Sequence, residues 1–145
     1  PGDMIIIDAQ GEVANAIVGE RMCQYAKYKG IRGMVIDGAI RDVLSIEELD
    51  FPVFAKGVTP KGPYKDGPGE INVPIVCGGV TVNSGDIIVG DRDGVVVISE
   101  KDATDVLKKA KRKEAKEQEE IKLIQKGIWD RSWVDKTLRD KGVYE

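Results

Sequence analysis

Histidine is absent from these 145 residues, and that absence removes a whole set of mechanisms. Without it there is no Ser-His-Asp or Cys-His arrangement, no imidazole acid–base step and none of the usual zinc hydrolase sites. Any catalysis falls to carboxylates, Arg, Lys, backbone groups and a hard metal ion. Cysteine is nearly absent as well. Cys23 and Cys77 stand far apart with no CxxC spacing, a pattern that predicts two reduced, buried thiols rather than a disulfide or a zinc site, and a cytoplasmic setting. Apolar runs such as MIII at residues 4–7 and VVVI at residues 95–98 fall far short of the roughly 20 residues that cross a bilayer, so no membrane partner is expected. Nor is there an excess of positive charge: 22 Lys and Arg face 25 Asp and Glu, for a net −3, and nucleic acid is not an expected ligand.

What is present suits a single α/β domain over residues 1–145. The chain opens at Pro1-Gly2-Asp3 straight into an apolar strand, and reads like one entered partway through a fold. Strand runs at 4–7, 34–36 and 53–55 alternate with helical stretches at about 19–29 and 43–49, an order that predicts a βαβαβ segment with parallel pairing. Residues 57–69 hold four glycines and three prolines, which demand turns and make this stretch the candidate for a mobile surface flap. From Glu70 the pattern becomes short β-branched runs at 75–76, 80–82, 87–89 and 95–98. They are separated by Gly78-Gly79, Ser84-Gly85-Asp86 and Asp91-Arg92-Asp93-Gly94, the marks of antiparallel hairpins. A long helix is predicted over about 100–127, with Ser99 as its N-cap and Gly127 as its stop. A tail at 128–145 follows, carrying Trp129, Trp133, Val134 and Leu138. It suits either a packed neighbour or an amphipathic cover over its own core.

Three features could carry chemistry. GIRGMVIDGAIRD, residues 30–42, runs along a strand and through Asp37-Gly38 to place Arg41 and Asp42 just past its carboxyl end, where ligands of α/β folds collect. Arg offers a planar fork for a carboxylate, and Asp a hard oxygen for Mg²⁺. The same two residues also read as a surface pair that begins a helix, with Asp42 as its N-cap. Gly19-Glu20-Arg21-Met22 opens the preceding helix, whose unpaired amides and positive dipole end suit an anion, although ordinary capping explains them equally. On the long helix, Ala103, Val106, Leu107, Ala110, Ile121 and Ile124 form an apolar stripe that Glu114 and Glu117 interrupt. Glu117 could simply pair with Lys113 one turn back.

Gly19-Glu20, 20 intervening residues, Arg41-Asp42, and then CGGVTVNSGDIIVGDRDGVVVI downstream together resemble the 4-hydroxy-4-methyl-2-oxoglutarate aldolase and regulator of ribonuclease activity A family. Its members are often misnamed demethylmenaquinone methyltransferases. The resemblance covers nearly the whole chain. It implies a layered α/β sandwich like that of swivelling phosphohistidine domains, assembled as homotrimers or dimers of trimers with sites between subunits, and an N-terminal region that this chain lacks. It further implies Mg²⁺ or Mn²⁺ on Asp42, Arg41 on the carboxylate and developing enolate of a pyruvyl group, and the amides around Gly19, Arg21 and Met22 on that carboxylate. Glu117 would reach the metal through water from a neighbouring subunit. Glu20 stands where the aldolases have an Asp that orders a proton-shuttling water, and Ser45 stands where a further acid is common. The implied activity is cleavage of a 4-hydroxy-4-substituted 2-oxo acid to pyruvate, with oxaloacetate decarboxylation on the side. The alternative is a non-catalytic regulator that binds a ribonuclease or another protein.

Overall fold

The computed structural model describes residues 1–143. The chain falls into two compact units, Pro1–Lys101 and one from Asp102 onward, where the sequence suggested one domain. The final two residues of the expected tail lie outside the described residues. No helix among the described residues is long and apolar enough to cross a membrane.

The first unit is built on a parallel sheet. β1 (Met4–Asp8), β2 (Ala16–Val18), β3 (Gly33–Ile40) and β4 (Val53–Val58) alternate with α1 (Glu20–Tyr28) and α2 (Val43–Glu48). β3 is the central strand, and it is nearly continuously buried, as expected where neighbours flank both edges and layers cover the faces. β4 lies along one edge. The other edge is shared end to end, β1 pairing Met4 through Asp8 with Gly33 through Asp37, and β2 pairing Ala16 and Val18 with Ala39 and Ile40. The change of partner falls at Asp37-Gly38, where the β3–β4 register also shifts. A Cβ on Gly38 would sit 2.7 Å from the Ala9 methyl, so glycine lets the β1–β2 connection cross there.

α1 carries Glu20 in its first turn and Lys27 in its last, both matched to the helix dipole, and it buries Cys23 and Ala26. Gly30, at φ 81°, ends it: its amide bonds to Lys27 O at 2.9 Å and that of Ile31 to Ala26 O at 3.1 Å, the paired closure of a glycine-stopped helix. Cys23 and Ala26 join Val18, Met34, Ile36, Ile40, Ile46 and Phe51 in one hydrophobic cluster. Each large aliphatic side chain in it contributes roughly 1.5–3 kcal/mol of burial.

The antiparallel runs form two hairpins: β5 (Ile75–Cys77) with β6 (Val80–Val82), and β7 (Ile87–Gly90) with β8 (Val95–Ile98). Gly78-Gly79 forms a two-residue turn with both φ values positive, 58° and 81°, which fits the twist of a tight hairpin. Asp37 Oδ2 accepts the Gly78 amide at 3.0 Å while Oδ1 lies 3.5 Å from Lys56 Nζ, so one carboxylate anchors the first hairpin to the sheet.

In the second unit, α3 (Ala103–Ile124) is followed by α4 (Ser132–Asp140). A 3₁₀ turn at Glu100–Asp102 precedes α3, whose N-cap position is Asp102 with no side-chain capping bond. Ser99 therefore stands one turn too early to cap it. Gly127, at φ 76°, stops the helix as expected. The apolar stripe is present, yet α3 buries none of its residues: Val106 is 37% and Ile121 44% exposed. Of the two thiols, neither in a disulfide, Cys23 is buried and Cys77 half-buried.

Candidate functional site

β2 and β3 are parallel neighbours, so their carboxyl ends arrive side by side, and the Arg41 amide bonds to Val18 O at 3.0 Å. From these ends the chain departs twice, through Gly19 into α1 and through Arg41-Asp42 into α2. The departures touch. A Cβ on Gly19 would lie 2.7 Å from Asp42 Oδ2 and 3.1 Å from both Cγ and Nε of Arg41. Gly19 has extended backbone, φ −146° and ψ −179°, which any residue adopts, so glycine is needed here for space alone.

Asp42 occupies the N-cap position of α2 without capping it through the side chain. Its backbone is left-handed, φ 61° and ψ 36°, a conformation that Asp tolerates better than most residues. The carboxylate instead turns to α1, where Oδ2 accepts the Glu20 amide at 3.2 Å and lies 3.6 Å from Arg41 Nε. Both side chains remain over two-fifths exposed, so the ion pair itself adds little stability. The Asp42 carboxylate is thus engaged by the start of α1 rather than by the helix it precedes.

The amides at the start of α1 are not equivalent. Those of Met22 and Cys23 bond to Gly19 O at 3.1 and 3.2 Å, while that of Arg21 has no acceptor among the described residues. Of the amides singled out in the sequence, those of Gly19 and Arg21 are left for an anion. The Glu20 carboxylate accepts from Gln24 Nε2 at 2.6 Å, along the surface of its own helix. Glu117 belongs to the second unit and lies 3.5 Å from Lys113, the pairing expected one turn apart. Beneath the site, burial first and the Asp42 charge second push the Cys23 thiol above its ordinary range, so it stays neutral.

Two residues that the sequence did not single out complete the surroundings. Asn15 Nδ2 donates to Gly62 O at 2.6 Å, and a Cβ on Gly62 would be 3.3 Å from Arg41 Nη1. The proposed flap is tied down at its near end: Thr59 N–H bonds to Ile40 O at 3.0 Å and Ala16 N–H to Lys61 O at 2.8 Å. Two open clefts, of about 1590 Å³ along residues 2–8 and 68–76 and about 720 Å³ over Asp37, Lys56 and Cys77, include neither Arg41 nor Asp42.

No three His, Cys, Asp or Glu side chains converge on a metal cage among the described residues. Asp42 Oδ1 accepts no hydrogen bond there. One half-exposed carboxylate with a free oxygen fits Mg²⁺ or Mn²⁺, which retain several waters; it does not fit a structural zinc.

The fold and this pair define an α/β protein in which adjacent Arg and Asp residues stand at the joined ends of parallel strands. The RraA-like family model, Aldolase/RraA, matches residues 1–97, and the chain belongs to that family. A protein of Halalkalibacterium halodurans named "Putative 4-hydroxy-4-methyl-2-oxoglutarate aldolase" is 45% identical over 139 residues, covering 95% of this chain and 66% of the relative. Among solved structures, an uncharacterised protein from Pseudomonas syringae superposes with TM-score 0.79 at 28% identity, over 88% of this chain and 66% of that one. Streptomyces coelicolor RraAS2, described as an unusual member of the RNase ES inhibitor RraA protein family, gives TM-score 0.75 at 34% identity, over 81% and 61%. The chain thus spans just under two thirds of the length of these relatives.

Proposed function

We propose that the chain is a subunit of a divalent-metal-dependent aldolase that cleaves a 4-hydroxy-4-substituted 2-oxo acid to pyruvate. The observation that carries this reading is the bare Gly19 Cα, which lets Arg41, Asp42 and the start of α1 meet at one point. In the reaction the 4-hydroxyl gives up its proton and becomes a carbonyl as the C3–C4 bond breaks, the electron pair of that bond becomes the enolate of pyruvate, and a proton delivered to C3 completes the pyruvate. Arg41 holds the substrate carboxylate and offsets the negative charge as it develops, an interaction strongest in the transition state. The Arg21 amide, at the positive end of α1, takes a second share of the carboxylate. Mg²⁺ or Mn²⁺, held by Asp42 and waters, supplies Lewis-acid polarisation of the 2-oxo group when bound. Glu20, one oxygen of which accepts from Gln24, handles the proton. Glu117 contributes through water from a neighbouring subunit in a homotrimer or dimer of trimers, a cytoplasmic assembly consistent with the exposed stripe of α3.

Oxaloacetate loses carbon dioxide to the same enolate, so its decarboxylation accompanies the aldolase activity. The likeness to RraAS2 favours a second reading, a non-catalytic module that binds a ribonuclease. Release of pyruvate from 4-hydroxy-4-methyl-2-oxoglutarate and from oxaloacetate, followed through lactate dehydrogenase with Mg²⁺ and with EDTA, separates the two. Metal-dependent release from both is expected. Release from neither leaves the regulator reading.

A further inference from the structure

Two glycines approach the Arg41 side chain. Gly19 would place a Cβ 3.1 Å from Nε, and Gly62 would place one 3.3 Å from Nη1. The two are held by different means. Gly19 is fixed by the β2-to-α1 departure. Gly62 lies in the long connection after β4, and what brings it to Arg41 is the half-buried bond from Asn15 Nδ2 to its carbonyl, at 2.6 Å, assisted by the backbone pair Ala16 N–H to Lys61 O. Asn15 lies immediately before β2, so the residue that leads into the strand ending before Gly19 also secures the second glycine. An arginine side chain has about 2 kcal/mol of rotamer freedom to lose, and close neighbours that remove part of it beforehand leave less to be lost on binding.

We propose that Asn15 and Gly62 are positioning residues for Arg41: Asn15 holds the Gly62 carbonyl, the side-chain-free Cα of Gly62 stays against the guanidinium, and Arg41 is thereby kept ready for a ligand carboxylate. This assignment rests on the reading of Arg41 as the carboxylate-binding group. It distinguishes the two residues from ordinary loop anchors, because their effect passes through Arg41 alone.

The test combines a double-mutant cycle with a spectroscopic signature, using Gly62→Ala, Asn15→Ala and the near-isosteric Asn15→Asp, which removes the donor. Oxalate, a two-carboxylate probe, is titrated by calorimetry with Mg²⁺. Each variant is expected to weaken oxalate roughly tenfold, the scale of part of one charge-assisted hydrogen bond. In an Arg41→Ala background the same changes are expected to add less than twofold, since residues acting through one group are not additive. In ¹⁵N spectra the Arg41 Nε–H peak, identified by its loss in Arg41→Lys, is expected to shift or broaden in all three variants while that of Arg139 stays. Wild-type affinity in the variants together with an unmoved Arg41 peak overturns the proposal, as does weakening that persists in full without Arg41. A wild type that binds no oxalate and releases no pyruvate, with the Arg41 peak responding as expected, removes the aldolase reading and leaves the positioning of Arg41. If one alanine variant fails to fold, the Asn15→Asp peak and affinity still decide.

Discussion

Substituting Gly19 with alanine puts a methyl group where the site has no room, and its consequences can be worked from the geometry. The backbone tolerates alanine, because φ −146° is ordinary extended chain. The added Cβ meets Asp42 Oδ2 at 2.7 Å and Arg41 Nε at 3.1 Å, and both side chains are free enough to swing outward. Stability then falls by only about 1 kcal/mol, the scale of losing the bond from the Glu20 amide at the head of α1, or a Tm lower by roughly 4 °C. Activity falls further. Displacing the guanidinium and the carboxylate by about 1 Å costs on the order of 100-fold in kcat/KM for pyruvate release. Gly67, with nothing within 4 Å of its would-be Cβ, supplies the control, and Gly67→Ala is expected to leave both quantities unchanged. The coupled lactate dehydrogenase assay and a thermal melt read both. A Gly19→Ala protein with kcat/KM within twofold of wild type refutes the reasoning, whatever its Tm.

Further outcomes follow from packing and charge. Ile36 is 2% exposed at the centre of the core, so Ile36→Ala is expected to cost about 3 kcal/mol in urea unfolding; less than 1 kcal/mol would mean the site collapses around the gap. A Cβ on Gly90 would lie 2.7 Å from Phe54 Cζ, and Gly90→Ala is expected to lose about 1–2 kcal/mol by displacing the ring, with no loss counting against that contact. Burial first, and then the Asp42 and Asp37 charges respectively, raise Cys23 and Cys77 above their ordinary value of 9.0. In the unfolded chain these thiols ionise at about that value, and in the folded chain only above it. Their stabilising contribution is therefore intact below pH 9.0 and is lost as pH climbs through the raised folded values. Urea midpoints between neutral and alkaline pH should fall less steeply for a Cys23→Ala/Cys77→Ala protein than for wild type; parallel curves would refute the linkage.

The local elements were legible because each has a local cause. Gly78-Gly79 and the Asp91-to-Gly94 turn dictate hairpins, Gly30 and Gly127 stop helices through positive φ, and the alternation of apolar runs with helical stretches fixes the parallel start. What escaped the pattern was set by contacts between distant residues. That β1 and β2 share one edge of β3 follows from a change of partner at Gly38, which hydrophobic periodicity does not encode. Arg41 and Asp42 could be marked as candidates, but an Asp before a helix ordinarily caps it, and only the left-handed backbone of Asp42 turns the carboxylate to α1 instead. Asn15 and Gly62 are 47 residues apart; the glycine-rich composition of 57–69 suggested a flap and gave no sign of the bond that ties it down. The apolar stripe on α3 is legible in the sequence, and within one chain it is exposed.

The most direct test of the Arg41–Asp42 site is steady-state pyruvate release from 4-hydroxy-4-methyl-2-oxoglutarate by the wild type, Asp42→Asn and Arg41→Lys, each titrated with Mg²⁺. Asp42→Asn keeps the shape and removes the charge, and Arg41→Lys keeps the charge and removes the fork. Expected are a metal-dependent wild-type rate, a loss of at least about 100-fold in each variant, and an Mg²⁺ requirement shifted to higher concentration in Asp42→Asn alone. A wild-type rate indifferent to Mg²⁺, or variants that turn over at the wild-type rate, would contradict the assignment of this pair.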